Sequence, residues 1–268
     1  AIPSFIAIRR FYPKAKITLI TSPGKKNAAG IENLLRGVWY INELEVYCSE
    51  DVNSIKKIFA FISILRKQQY DLFIQIPDDW GSFKVLLRNT IFAKCIGVKS
   101  AFGFKKRTFL SLFRKTQIDY SFEKTEAEAL LDMMKEKGVS VDRVEFDFNI
   151  PQDKEQNINK FLKSRVNIGK NLIVAICPGG KEKEKHWPPE RYGEVARYLR
   201  DRFNAKFIIF GGSDDLHDAE MIKNSVSDSD VIISINQFDL AENLILLKFC
   251  DFLLTNDTGM MHFAAALK

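Results

Sequence analysis

The 268-residue chain is long enough to form two domains of ordinary size. Its 46% hydrophobic and 28% charged residues describe a globular protein and exclude the disordered class. No apolar run approaches the ~18 residues that a membrane-spanning helix needs. The net charge of +6 favours an anionic partner, but 40 basic against 34 acidic residues is too mild an excess to indicate nucleic-acid binding.

In chain order, a helix is predicted first, from Pro3 to Phe11, and short β-branched runs then alternate with segments of helical periodicity. The predicted strands are Ile17–Ile20, Leu44–Tyr47, Leu72–Ile76, Leu172–Cys177, Phe207–Phe210, Val231–Ile233 and Phe252–Leu254. Apolar residues recur at helical spacing within 55–65, 127–134 and 192–203. This alternation predicts an α/β protein whose parallel sheets carry helices on both faces.

The polar stretch 151–170 predicts an interdomain linker with one exposed helix, between an N-terminal domain over 1–150 and a C-terminal domain over 171–268. The chain opens with a helix rather than a central strand and without an initiator Met. It also stops at Lys268, about two turns into a predicted helix. We therefore expect further residues, including a first strand, upstream of Ala1, and further residues after Lys268.

The cysteine pattern predicts a reduced, cytoplasmic protein without a zinc site, because the four cysteines are far apart and show no C-x-x-C spacing. We do not expect the apolar N-terminal residues to act as a signal peptide, since the basic pair Arg9-Arg10 follows them instead of preceding them.

Three glycine-bearing loops follow predicted strands in the second half, at 177–180, 210–213 and 256–259. Ligands bind at the carboxyl ends of the strands in open parallel sheets, so we expect these loops to share one crevice. The last loop, Asn256-Asp257-Thr258-Gly259, opens a helix whose unpaired amides and positive dipole end predict a phosphate site. Asp257 could equally cap that helix, and the two roles are compatible.

A basic loop follows the first of these strands and precedes Pro188-Pro189, which suits the first turn of a helix. Its Lys181, Lys183 and Lys185 could meet a diphosphate and stabilise the charge on a departing phosphate. Because Lys alternates with Glu here, a solvated charge run is an equal alternative.

Other charged pairs have weaker claims. Asp78-Asp79 ends the predicted strand 72–76 at the correct edge, although a turn before a helix explains the pair as well. Asp228-Ser229-Asp230 has the D-x-D spacing of metal-dependent transferases, but it precedes a strand, so we expect no metal there. Lys105, Lys106, Arg107 and Arg114 flank an apolar run, which predicts either a helix with a basic face or a surface for an anionic glycolipid.

Motifs along most of the chain resemble glycosyltransferase family 9, the ADP-heptose:lipopolysaccharide heptosyltransferases. The most specific are PGG…EKHWPPERY (178–192), FGGSDD (210–215) and NDTGMMHFAAAL (256–267), in this order and spacing. The N-terminal match, through Arg9-Arg10-Phe11-Tyr12-Pro13 and Tyr70-Asp71-Leu72, is weaker. The resemblance implies a GT-B fold, in which two Rossmann-like domains face a cleft and the C-terminal one holds a nucleotide sugar.

The resemblance also implies residue roles. Lys185 corresponds to the lysine that contacts the donor phosphates. Residues 257–259 correspond to the turn whose amides hold the diphosphate. Lys185 and Asp257 are the catalytic candidates. His262 corresponds to a family histidine lining the donor site, although a core position is the alternative. Asp215 falls near an acidic ribose-binding position. The full set of expected donor contacts is Pro178, Gly179, Gly180, Lys181, Lys185, Trp187, Gly212, Asp215, Thr258, Gly259, Met260 and His262. Lys105, Lys106, Arg107 and Arg114 are the expected acceptor contacts.

Two departures from the family pattern bear on catalysis. The family's proposed general base is an Asp that would lie upstream of Ala1, which leaves Asp78 or Asp79 as the candidates within this chain. Gly180 and Lys181 also stand where family members often carry hydroxyl residues. We therefore expect this chain to bind donor but to transfer sugar poorly.

The expected function is that of a cytoplasmic, inverting, metal-independent and cofactor-free glycosyltransferase. It would move a heptose from a nucleoside-diphosphate sugar, ADP-heptose first of all, to the lipopolysaccharide inner core, with possible peripheral contact to the inner membrane and no nucleic-acid partner. A GT-B enzyme with another donor, such as a UDP-sugar, and a nucleotide-sugar-binding module without catalysis are the alternatives.

Overall fold

The computed structural model describes residues 1–24, 32–76, 83–103, 125–139, 143–166, 169–180 and 183–267. The chain divides into two compact units, Ala1–Asp147 and Phe148–Lys268. In the described part of the chain, no helix is long and apolar enough to cross a bilayer.

The first unit alternates helices with two pairs of parallel strands. Its helices are α1 (Ile2–Phe11), α2 (Glu32–Leu35), α3 (Ile55–Lys67), α4 (Phe83–Ile96) and α5 (Glu126–Lys135). Its strands are β1 (Thr18–Gly24), β2 (Glu43–Cys48), β3 (Leu72–Ile74) and β4 (Ser100–Phe102), and β1 pairs with β2 and β3 with β4, both in parallel.

Local sequence explains where the helices of the first unit begin. At α5, the Thr125 hydroxyl accepts the Glu128 N–H at 3.3 Å, and the Glu128 carboxylate accepts the Thr125 N–H at 2.7 Å. This reciprocal capping box satisfies two amides that a helix start leaves unpaired. Helices α1 and α5 then pack together through Ala7, Ile8 and Leu131, which are all buried.

The second unit contains a four-stranded parallel sheet in the order β7-β6-β5-β8. Its strands are β5 (Ile173–Cys177), β6 (Lys206–Ile209), β7 (Val231–Ile233) and β8 (Phe252–Thr255). Its helices are α6 (Gln152–Arg165), α7 (Pro189–Phe203), α8 (Leu216–Asn224), α9 (Leu240–Lys248) and α10 (Gly259–Leu267). The α/β class with parallel sheets is therefore confirmed.

Strand β5 is the centre of this sheet, and all five of its residues are buried. Alternate side chains enter two separate cores, with Ile173 and Ala175 on one face and Val174 and Ile176 on the other. A strand covered on both faces has to be apolar throughout, which explains its continuous Ile-Val-Ala-Ile-Cys sequence.

The segment predicted as an exposed linker helix differs from that expectation. A helix does form there, α6, but its Ile158 and Leu162 are only 2% and 0% exposed and belong to the core of the second unit. The sequence of α6 predicted an exposed helix because most of its residues are polar and only a narrow stripe along it is apolar. The second unit accordingly begins at Phe148 and includes α6.

Candidate functional site

A pocket of about 540 Å³ opens at the carboxyl ends of β5, β6 and β8 in the second unit. These strands run parallel, so the loops that follow them meet at one edge of the sheet. The pocket is lined by residues from each of the three predicted glycine loops.

The N-terminus of α10 forms one wall of the pocket. Gly259 begins this helix directly after Thr258, both residues line the pocket, and the first helical turn contains no acidic residue. A Cβ built on Gly259 would meet no atom within 4 Å, so the helix end faces open space. The amides of a first helical turn have no intrahelical acceptor and lie at the positive end of the helix dipole, which makes this wall suited to an anion.

The turn after β6 holds an acidic side chain against the glycines. The Asp215 carboxylate accepts the Gly212 N–H at 2.8 Å, which fixes its position. A Cβ on Gly179 would lie 2.2 Å from this carboxylate, and a Cβ on Gly211 would lie 2.8 Å from it. Only glycine therefore allows the two strand-end turns to approach Asp215 this closely.

The basic loop reaches the pocket through a short 3₁₀ turn, Lys183–Lys185. Lys185 is exposed and lines the pocket, and the next residue, His186, places its ring Nε2 3.0 Å from the Gly180 carbonyl oxygen. Trp187 donates its backbone N–H to the Asn256 side-chain oxygen at 3.1 Å. The loop is thus joined to two of the glycine turns.

Cys177 ends β5 at the bottom of the pocket, with its thiol buried and the Thr258 hydroxyl 3.8 Å from its sulfur. Burial is the main reason that the pKa of the Cys177 thiol is raised above its usual value, and the nearby Asp215 charge raises it further. The thiol is therefore protonated at neutral pH, and Cys177 is a packing residue rather than a nucleophile.

The structure brings most of the predicted donor-site residues into this one pocket. Those that line it are Gly179, Gly180, Lys185, Gly212, Asp215, Asp257, Thr258, Gly259, Met260 and His262. Pro178 and Trp187 do not line it, but their backbones bind the Asn256 side chain. The other predicted site residues lie outside the described residues; these are Lys181, Asp78, Asp79, Lys105, Lys106, Arg107 and Arg114.

Several lining residues were absent from the expected donor contacts, namely Cys177, His186, Gly211, Leu240, Asn256 and Phe263. Cys177, Gly211 and Asn256 do belong to the three loops that the sequence predicts to share one crevice, and His186 adjoins the predicted Lys185. Leu240 begins α9, far from any recognised motif, and nothing in the local sequence indicates its position.

The D-x-D segment lies at the opposite edge of the sheet, as predicted, because the turn Asp228–Asp230 directly precedes β7. Asp230 forms an ion pair with Lys206, the first residue of β6, and Asp228 pairs with Lys223 at 2.9 Å. Within the ranges that the structure describes, no group of three or more His, Cys, Asp or Glu side chains could hold a metal ion.

A parallel sheet whose strand ends carry glycine turns and a helix N-terminus is typical of the nucleotide-binding α/β class. The family model of glycosyltransferase family 9 (heptosyltransferase) matches residues 58–268, which is well over half of the chain. The chain therefore belongs to glycosyltransferase family 9.

Curated relatives agree with this assignment. The chain is 25% identical over 208 residues to lipooligosaccharide heptosyltransferase 2 of Haemophilus influenzae, and 26% identical over 217 residues to the enzyme of the same name from Haemophilus ducreyi. Each alignment covers 75% of this chain, but only 59% and 58% of the two relatives.

Solved structures confirm the GT-B type of fold. A family 9 glycosyltransferase from Veillonella parvula matches 99% of this chain and 73% of its own, with 20% identity and a TM-score of 0.75. Escherichia coli ADP-heptose heptosyltransferase II matches 99% of this chain and 77% of its own, with 19% identity and a TM-score of 0.63. An E. coli heptosyltransferase with ADP matches 99% of this chain and 79% of its own, with 17% identity and a TM-score of 0.64.

Replacing Gly179 with Ala tests the packing of the pocket. The new Cβ would displace the Asp215 carboxylate from the Gly212 N–H, so the free energy of unfolding should fall by about 1–3 kcal/mol. Chemical denaturation should show that Gly259→Ala, in open space, costs far less. Most of the Gly179→Ala loss should vanish in an Asp215→Ala background. An equal loss in both backgrounds would show that the contact with Asp215 is not its cause.

Proposed function

We propose that the protein is an inverting, metal-independent glycosyltransferase that moves a heptose from a nucleoside-diphosphate sugar, ADP-heptose first of all, to a lipopolysaccharide core acceptor. One observation carries the proposal: Lys185 and the N-terminus of α10 line the same pocket. A lysine ammonium and a row of helix amides together suit a diphosphate. The names of the Haemophilus relatives and the ADP in the E. coli structure support the choice of sugar and nucleotide.

In the proposed reaction, a carboxylate deprotonates an acceptor hydroxyl, whose oxygen attacks the anomeric carbon on the face opposite the diphosphate. The bond from that carbon to the diphosphate oxygen breaks, so the configuration inverts and the nucleoside diphosphate leaves with the bonding electrons. Lys185 and the amides after Asp257 stabilise the charge that develops on the diphosphate. Because these groups supply positive charge, the proposed reaction needs no metal ion.

Asp215 is the proposed ribose contact. It lies in the turn after β6, where an acidic side chain commonly binds ribose hydroxyls in nucleotide-binding folds. Its Oδ2 accepts the Gly212 N–H, and Oδ1 remains as the acceptor for a ribose hydroxyl. His262, one turn into α10 and exposed at the pocket, is proposed to contact the donor.

For the acceptor side, we propose Lys105, Lys106, Arg107 and Arg114 as contacts for the anionic groups of the glycolipid, and we keep Asp78 and Asp79 as the fallback candidates for the general base. These assignments rest on sequence. Basic side chains, and Arg above all, bind phosphates and carboxylates in fixed geometry.

The proposed reaction is tested by turnover with excess EDTA present. We expect slow nucleotide release from ADP-heptose when a lipopolysaccharide core acceptor is added, at a rate that magnesium or manganese does not raise. Turnover with a UDP-sugar but not with ADP-heptose would show that the proposed donor is wrong. Donor binding without turnover would indicate that the protein binds a nucleotide sugar without catalysing transfer. Loss of turnover on chelation would overturn the metal-independent mechanism.

Lys185→Ala should weaken ADP binding by roughly 1.5–3 kcal/mol, the range for a hydrogen bond to a charged group. Calorimetry at fixed ionic strength measures the effect. Lys248→Ala is the matched control, because it removes one exposed lysine from the end of α9 and should leave ADP affinity unchanged. Equal ADP affinities of Lys185→Ala and wild type would show that Lys185 does not contact the diphosphate.

We also propose peripheral contact with an anionic membrane surface through α3, in keeping with a lipid-linked acceptor. Ile55 and Phe59 on this helix are 73% and 63% exposed, and its four charged residues are all basic. Apolar side chains among lysines suit the interface of an anionic bilayer.

The protein should float with phosphatidylglycerol vesicles but not with pure phosphatidylcholine vesicles. Phe59→Glu should abolish flotation, while Phe203→Glu, on exposed α7 surface, should not. Equal flotation of both variants would exclude α3 as the contact.

A further inference from the structure

The side chain of Asn256 joins three segments of the pocket. Its Nδ2 donates to the Pro178 carbonyl at 2.5 Å, in the turn after β5. Its Oδ1 accepts the Trp187 N–H at 3.1 Å, directly after Lys185 and His186. Asn256 itself precedes the Asp257-Thr258 turn into α10, and its backbone N–H extends the pairing of β8 with β5 by donating to the Cys177 carbonyl at 3.4 Å.

Asparagine is well matched to this position. One partner is a carbonyl oxygen and the other an N–H, so the side chain must donate with one end and accept with the other. Aspartate could accept the Trp187 N–H but would set a negative charge against the Pro178 carbonyl oxygen. Leucine has a similar shape but would leave both backbone groups without this partner.

Two further contacts hold the same loop. The His186 ring lies 3.0 Å from the Gly180 carbonyl oxygen, and the Trp187 ring packs edge-on against Tyr192 with 5.0 Å between ring centroids. Tyr192 is buried at the start of α7. Lys185 is therefore followed by two anchored residues, and the Asn256 bond is the anchor that ties its loop to the start of α10.

We infer that Asn256 is a positioning residue that holds Lys185 and the N-terminus of α10 in register, so that both meet the same diphosphate. The inference rests on the proposed function of the pocket. Asn256 acts through Lys185 and needs no contact with the ligand. A misplacement of about 1 Å can cost on the order of 10²-fold in rate, so a bond between the two phosphate-binding segments has a large effect on them.

The test is a double-mutant cycle measured by ADP calorimetry. Asn256→Ala removes two neutral hydrogen bonds and should weaken ADP binding about 5- to 30-fold. In a Lys185→Ala background the same substitution should cost less than about 2-fold, because the lysine it positions is gone. If the fold-loss of ADP affinity in the double variant equals the product of the losses in the two single variants, the inference is overturned. A lower melting temperature with unchanged ADP affinity would also overturn it.

Controls separate this inference from the proposed function. Asn171→Ala removes a hydrogen bond that the Asn171 side-chain amide donates to the Asn204 carbonyl oxygen, at the opposite end of β5 from the pocket. This control variant should leave ADP affinity unchanged. Asn256→Leu, which removes the same two hydrogen bonds without adding a charge, replaces Asn256→Ala if the latter does not fold, and it should also weaken ADP binding. Hydrogen exchange of the Trp187 amide needs no ligand, and it should speed up at least tenfold in either variant. Unchanged exchange would overturn the positioning role even if ADP binds. Faster exchange with no ADP binding to wild type would overturn the proposed function alone.

Discussion

The parallel pairing of β5 with β6 and β8 is the constraint on which the candidate site depends. Residues 174–177 of β5 pair with 252–255 of β8, and residues 173–176 pair with 206–209 of β6. This register brings three strand ends to one edge, although the turns that follow them lie more than thirty residues apart in the sequence. A slip of one residue would turn every side chain of β5 to the opposite face and separate the turns.

Close approach at this edge sets the residue types that surround the pocket. Gly179 and Gly211 leave the space that the Asp215 carboxylate fills, and the Gly212 N–H holds that carboxylate in place. In the proposed diphosphate site, positive charge comes from the amides of α10, whose orientation the helix backbone fixes, and from the Lys185 ammonium. Preorganised donors of this kind need little rearrangement when charge develops on a ligand, which is why such sites suit a leaving diphosphate.

The sequence predicted the parts of the fold whose signal is local. The buried strands and the turn at Asn256-Asp257-Thr258-Gly259 could be read from apolar runs that end in glycine. The burial of α6 was missed, because its two core residues, Ile158 and Leu162, stand in a largely polar segment and their contacts come from distant elements. The bonds of Asn256 to Pro178 and Trp187 also join residues about seventy positions apart or more, so only the folded sheet reveals them.

We propose that a diphosphate binds at the N-terminus of α10 beside Lys185. Amide chemical shifts recorded during titrations with ADP and with adenosine test it most directly, because the two ligands differ only in the diphosphate. We expect the Gly259 and Met260 amides to shift strongly with ADP and little with adenosine, and we expect Lys185→Ala to reduce the response to ADP. Equal responses to both ligands at these amides, or shifts confined to residues outside the pocket, would contradict it.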